Sequence, residues 1–164
     1  MTIAVYPGTF DPIHNGHIDI AKRAAAIFDH LVVGIYDRPN KNVFFTVDER
    51  VAFARDALRS CPNISVECYS DLTVAFVQRL GARVIVRGLR VISDFELEYQ
   101  MAFANHKLAP SIEMVCLMTS LEYAFISSTI VKEIIRAGGS IADFVPDAVA
   151  RELTRRCQIN NGSI

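Results

Sequence analysis

The sequence predicts an α/β fold: one five-stranded parallel sheet with helices on both faces. Three observations carry this reading. Short runs rich in valine and isoleucine alternate with amphipathic helical patterns along nearly the whole chain. These runs alternate only weakly between apolar and polar, as strands covered on both faces do. No linker, repeat or low-complexity stretch interrupts the series, and 164 residues suit a single domain.

The first strand is expected over Ile3–Tyr6, with Gly8 and Pro12 shaping the turn that leaves it. A helix over His17–Phe28 puts Ile18, Ala21, Ala25 and Phe28 on one face. Leu31–Tyr36 reads as the second strand. Thr46-Val47-Asp48-Glu49 is a capping box, with Thr46 and Glu49 satisfying each other's end of a second helix. The third strand, Ile64–Tyr69, precedes a helix over Leu72–Leu80 with Asp71 as its cap and Gly81 as its stop.

The fourth strand, Arg83–Arg87, leads past Ser93-Asp94 into a helix over Phe95–Leu108. Its apolar residues, Met101 and Phe103 among them, suit either core or interface. After the fifth strand, Glu113–Met118, Ser127 caps a helix over Ser128–Ala137 that Gly138-Gly139 ends. Pro146 opens the last helix, Asp147–Cys157, and Gln158–Ile164 is a polar tail. Right-handed crossovers then make residues 1–157 one Rossmann-like domain, with 158–164 as its tail.

Composition narrows the function. A net charge of −1 leaves no basic field for nucleic acid, so any phosphate must be met by a few placed cations. No run of 18 apolar residues reads as a membrane span, and the start lacks the charged region and cleavage site of a signal peptide. Cys61, Cys68, Cys116 and Cys157 are widely spaced, form no C-x-x-C pair and read as buried thiols. A cytoplasmic protein is the expectation.

In this fold, ligands gather beyond the carboxyl ends of the strands, so the loops there carry the chemistry. The first holds Val5-Tyr6-Pro7-Gly8-Thr9-Phe10-Asp11-Pro12-Ile13-His14-Asn15-Gly16-His17. It lacks both the G-x-G-x-x-G and the G-x-x-x-x-G-K-[ST] patterns. Instead His14-x-Gly16-His17 stands at a helix N-terminus, where free amides and partial positive charge favour an anion. Two histidines three apart, with Thr9 as a hydroxyl donor before them, point to phosphate.

Lys41 stands in the second loop. Arg87-Gly88-Leu89-Arg90 closes the fourth strand with two arginines suited to bidentate phosphate contacts. Arg87 ends a buried strand, so its guanidinium needs an anion, from a ligand or from Glu96 or Glu98. Ser127-Ser128-Thr129, with Lys132 one turn further on, offers a second anion-binding helix terminus.

These motifs, in this order and with Ser93-Asp94-Phe95-Glu96, resemble the HxGH-type nucleotidyltransferases, and most closely the bacterial phosphopantetheine adenylyltransferases. The likeness runs from Val5 to about Leu153. It implies transfer of the adenylyl group of ATP to 4′-phosphopantetheine, giving dephospho-coenzyme A and pyrophosphate. It also implies direct in-line attack without a covalent intermediate, Mg²⁺ held mainly by ATP phosphates, a homohexamer and feedback by coenzyme A.

By matching position, the resemblance makes His17 the transition-state stabiliser, aided by Thr9, Lys41 and Arg90. Thr9, Lys41, Thr73 and Arg87 match phosphopantetheine-binding positions. Thr9, Phe10, His14, His17, Gly88, Leu89, Arg90 and Glu98 match ATP-binding positions, as do Tyr123, Ala124, Phe125, Ile126, Ser127, Ser128 and Thr129. Position 14, often Thr in that family, is His here. The alternatives are another HxGH enzyme, such as a nicotinamide mononucleotide adenylyltransferase or a cytidylyltransferase, and a non-catalytic nucleotide sensor.

Overall fold

The strands β1 (Ile3–Gly8), β2 (His30–Tyr36), β3 (Ile64–Tyr69), β4 (Val84–Leu89) and β5 (Glu113–Met118) form one parallel sheet in the order β3-β2-β1-β4-β5. They are seen in a computed structural model that describes residues 1–39 and 43–161. The helices are α1 (Asn15–Ile27), α2 (Val47–Leu58), α3 (Thr73–Arg79), α4 (Ile92–Leu108), α5 (Ser128–Arg136) and α6 (Asp147–Asn161). A single 3₁₀ turn, Leu121–Tyr123, lies between β5 and α5.

The central strands are buried on both faces, which is why their sequences read as continuous apolar runs. On one face Ile20 and Ala24 of α1, Ala54 and Leu58 of α2, Val131 of α5 and Leu153 of α6 join a core with Ala4, Leu31 and Val33. The other face packs Val74, Phe76 and Val77 of α3, with Ala109 and Ile112, against Val5, Val32 and Ile85. The order of the strands reverses at β1 and β4, opening a crevice beyond their carboxyl ends. Among the described residues, no helix is long and apolar enough to cross a membrane.

Several boundaries differ from the sequence expectation. β1 continues through Gly8, so this glycine belongs to the strand and not to the turn. Its missing side chain leaves room for the Phe10 ring, whose Cε2 would lie 2.9 Å from a Cβ there. Helix α1 begins at Asn15, because His14 and not a later residue caps it. Asp71 does not cap α3; Leu72 stands at the cap position, and the Asp71 carboxylate accepts from Arg79 at the far end of the helix.

Helix α4 starts at Ile92, and Asp94 in its first turn reaches back to accept from the Arg90 N–H. The last helix runs on to Asn161, past the expected end at Cys157.

The cysteines are free thiols but not buried ones: Cys68 and Cys116 are exposed, and Cys61 and Cys157 half-buried. Cys68 and Cys116 lie on β3 and β5, the two edge strands, which have a hydrogen-bonded neighbour on one side only. The apolar residues of α4 are also not core. Phe95, Tyr99 and Phe103 stand exposed at four-residue spacing, their ring centroids 5.7 and 4.8 Å apart.

Candidate active site

A cavity of about 600 Å³ opens at the crevice between β1 and β4, beyond the carboxyl ends of the strands. Its floor is the end of β1, and its walls are the N-termini of α1 and α5, the end of β4 and one side of α4. Of the residues picked out by sequence, Thr9, Phe10, His14, His17, Thr73, Arg87, Gly88, Arg90, Glu98, Ser127, Ser128 and Thr129 all line it.

Leu89, Tyr123, Ala124, Phe125 and Ile126 do not line it. Leu89 and Ile126 are buried in the core, and Phe125 is exposed beside Phe144. The Ile126 backbone still reaches the site, because its carbonyl accepts from Arg90 Nη1 at 3.1 Å. Lys41 lies outside the described residues.

The first loop is shaped by packing and by a reciprocal cap. Phe10 is held at φ 51°, a left-handed conformation costing about 1–3 kcal/mol in a non-glycine residue. Its buried ring sits edge-on to Tyr6 and His17, which offsets that strain. His14 Nδ1 accepts the His17 N–H at 3.3 Å, and His17 Nδ1 accepts the His14 N–H at 3.3 Å. The two rings stack with centroids 3.6 Å apart.

With each Nδ1 taking a backbone proton, the neutral rings carry their own proton on Nε2, as a donor. Burial and the Arg90 charge lower the His14 pKa to about 3, so His14 stays neutral at ordinary pH. A Cβ on Gly16 would meet the His14 ring at 3.2 Å and the Tyr123 Cβ at 3.4 Å, so this glycine makes room for the cap.

Both arginines of the fourth strand's end are already engaged. Glu98 Oε1 accepts from Arg87 Nε at 2.9 Å and Nη2 at 2.5 Å, and the Pro7 carbonyl accepts from Nη1 at 2.7 Å. The anion that Arg87 required is thus supplied from within the protein. Burial alone pulls the Arg87 pKa down, but the Glu98 carboxylate more than offsets it and holds it above the ordinary value. Asp94 takes Arg90 Nε at 3.0 Å through one oxygen and Nη2 at 3.1 Å through the other.

The hydroxyl run divides its work. Ser127 Oγ caps α5 by accepting the Ile130 N–H at 3.1 Å, and Ser128 Oγ donates to the Pro12 carbonyl at 2.9 Å. Lys132, expected at the anion-binding terminus, instead reaches Asp11, with Nζ 3.1 Å from Oδ2. On the opposite side of the cavity, Thr73 Oγ1 lies 3.0 Å from the Tyr69 hydroxyl.

Sequence reading missed Arg50. This residue of α2 is 1% exposed, yet its guanidinium donates to the carbonyls of Thr9 at 2.9 Å, Tyr36 at 2.7 Å and Phe45 at 3.2 Å. It fastens the loops after β1 and β2 to each other from behind the site. The available signal was its position four residues before Ala54 and eight before Leu58, on the buried face of the helix.

Comparison with known proteins narrows the site's class. A family model described as cytidylyltransferase-like matches residues 5–134. The phosphopantetheine adenylyltransferase of Roseiflexus castenholzii is 51% identical over 155 residues, covering 94% of this chain and 97% of its own. The enzymes of the same name from Alkaliphilus metalliredigens and Herpetosiphon aurantiacus are 46% and 45% identical, over 95% and 99% of this chain and 99% of each relative.

The chain belongs to the phosphopantetheine adenylyltransferase family. A solved structure from Vibrio parahaemolyticus, assigned provisionally as a nicotinate-nucleotide adenylyltransferase, matches with a TM-score of 0.67 at 15% identity. It covers 93% of this chain and 99% of that one, a likeness of fold alone. In this phosphopantetheine adenylyltransferase family member, two capped helix N-termini and two arginines face one cavity. No group of three or more His, Cys, Asp or Glu suited to a metal occurs among the described residues.

Proposed function

We propose that this protein transfers the adenylyl group of ATP to the phosphate of 4′-phosphopantetheine, forming dephospho-coenzyme A and pyrophosphate. The observation that carries the reading is the convergence of the α1 and α5 N-termini with Arg87 and Arg90 on one cavity. Family membership supports the choice of substrates.

The acceptor phosphate is already an anion, so no side chain has to act as a base. An oxygen of that phosphate attacks the α-phosphorus as the bond to the pyrophosphate oxygen breaks, and charge grows on both ends. The protein's task is to align two mutually repelling anions and to neutralise that charge. His17, with Nε2 as donor, and Thr9 serve the α-phosphate. Arg87, together with Lys41, holds the acceptor phosphate, and Thr73 flanks the pantetheine arm. Arg90 and the α5 terminus, with Ser127 and Ser128 at its start, receive the pyrophosphate.

No side chain is assigned to Mg²⁺, which would ride on the ATP phosphates and would supply charge neutralisation there. This suits a cavity whose carboxylates, Asp71, Asp94 and Glu98, each face an arginine. The cytoplasm suits four thiols held free. A homohexamer is the family's assembly, and the exposed Phe95, Tyr99 and Phe103 of α4 give it an apolar surface to bury.

Pyrophosphate release from ATP tests the reading. Release is expected with 4′-phosphopantetheine and not with nicotinamide mononucleotide. ATP binding without release to any acceptor points instead to a nucleotide sensor.

A further inference from the structure

Asp11 and Lys132 form a buried pair that no step of the proposed reaction uses. Asp11 is 2% exposed, the Lys132 side chain only 15%, and neither lines the cavity. The same carboxylate accepts the N–H groups of Phe44 at 2.8 Å and Phe45 at 2.9 Å. One residue further on, the Pro12 carbonyl accepts from Ser128, which lies one turn before Lys132 on α5. Two adjacent contacts therefore fasten the start of α5 to the loop that leads to His14, the cap of α1.

A buried ion pair adds little net stability over an apolar pair of the same size, so stability alone is a poor reason to keep one here. What a short charged contact does supply is a fixed distance and direction. The two helix termini that it joins are those assigned to the α-phosphate and the pyrophosphate.

We infer that the Asp11–Lys132 pair is a positioning device that sets the separation of the α1 and α5 N-termini, and so acts on the nucleotide side of the site. The inference rests on the proposed reaction. Asp11 and Lys132 are positioning residues, since neither reaches the cavity.

The test compares the full-length wild type with Lys132→Met, Asp11→Asn, the double variant and Lys132→Arg. Thermal midpoint, turnover by pyrophosphate release and the KM of each substrate are measured, with ATP affinity by calorimetry. Each neutral single variant should lose midpoint, because it leaves a charge buried without its partner, and the double variant should recover most of it. Turnover of the double variant should nonetheless stay about tenfold or more below wild type, with weaker ATP binding and phosphopantetheine KM within about twofold, because alignment is lost.

Lys132→Arg, which keeps the charge, should bind ATP nearly as wild type does. A double variant that regains turnover and ATP affinity along with its midpoint overturns the inference. So does Lys132→Arg weakening ATP as much as Lys132→Met, which decides the matter even if the double variant fails to fold. Wild-type protein that releases no pyrophosphate rejects the proposed reaction instead, and ATP calorimetry on the same variants still reads the pair.

Discussion

Glu98 fills the fork of Arg87. A single carboxylate oxygen takes two of its N–H groups, and the third bond goes to the Pro7 carbonyl. The guanidinium is thereby aimed along the end of β1 before any ligand arrives, which lowers the ordering cost of binding.

Arg87→Ala is therefore expected to act in two separable ways. It should weaken 4′-phosphopantetheine by on the order of 10–100-fold, the worth of a charge-assisted phosphate contact, while ATP affinity changes little. It should also lower the thermal midpoint, because Glu98 is left buried without its partner. Arg87→Ala with Glu98→Gln should recover midpoint and not phosphopantetheine affinity. Equal losses for both substrates in calorimetry of the single variant reject the assignment.

His17→Ala removes a donor that matters most as charge develops. Turnover should fall by on the order of 10²–10³, with ATP affinity little changed. Steady-state kinetics beside ATP titration check this, and near-normal turnover sinks the role given to His17.

The capping histidine gives the fold a pH dependence. His14 titrates near 6.5 when unfolded and at about 3 when folded, so the unfolded chain binds the extra proton between those values. Stability from this group is complete above about pH 6.5 and falls with pH by about 1.4 kcal/mol per unit as far as pH 3. His14→Thr keeps an oxygen to accept the His17 N–H and has no such titration. Melting curves from pH 7 to pH 5 should drop more steeply for wild type than for His14→Thr, and parallel slopes contradict the assignment.

Arg50→Met deprives three carbonyls of their donor while keeping most of the side chain's volume. A loss of about 3 kcal/mol is expected in urea unfolding, from buried acceptors left unsatisfied. Because the Thr9 carbonyl is one of the three, turnover should fall as well. A variant as stable and active as wild type shows that the bracket is dispensable.

Much of this was legible in the chain. The apolar runs of β1, β2 and β4 announced buried strands because both faces are covered, and the Thr46–Glu49 capping box forms as read. The first-loop, RGLR and hydroxyl motifs marked the cavity because strand ends and helix starts leave backbone groups unpaired by geometry alone. What stayed hidden depends on contacts remote in sequence. Arg50 is an ordinary helix residue until the Thr9 carbonyl, 41 positions away, comes beside it. Lys132 passed for a phosphate ligand because its partner, Asp11, lies 121 residues earlier. The thiols of Cys68 and Cys116 seemed core-like, since an edge strand and a central one share a composition.

The self-paired arginines have a further consequence for what the cleft admits. With Glu98 on Arg87 and Asp94 on Arg90, the cleft does not offer two naked cations to every passing anion. A lone phosphate or sulfate exchanges one anionic partner for another and gains little. The two substrates bound together bring phosphates to both arginines and both helix ends, and those gains compound. The protein's own carboxylates thus give each arginine a partner that any entering anion has to displace.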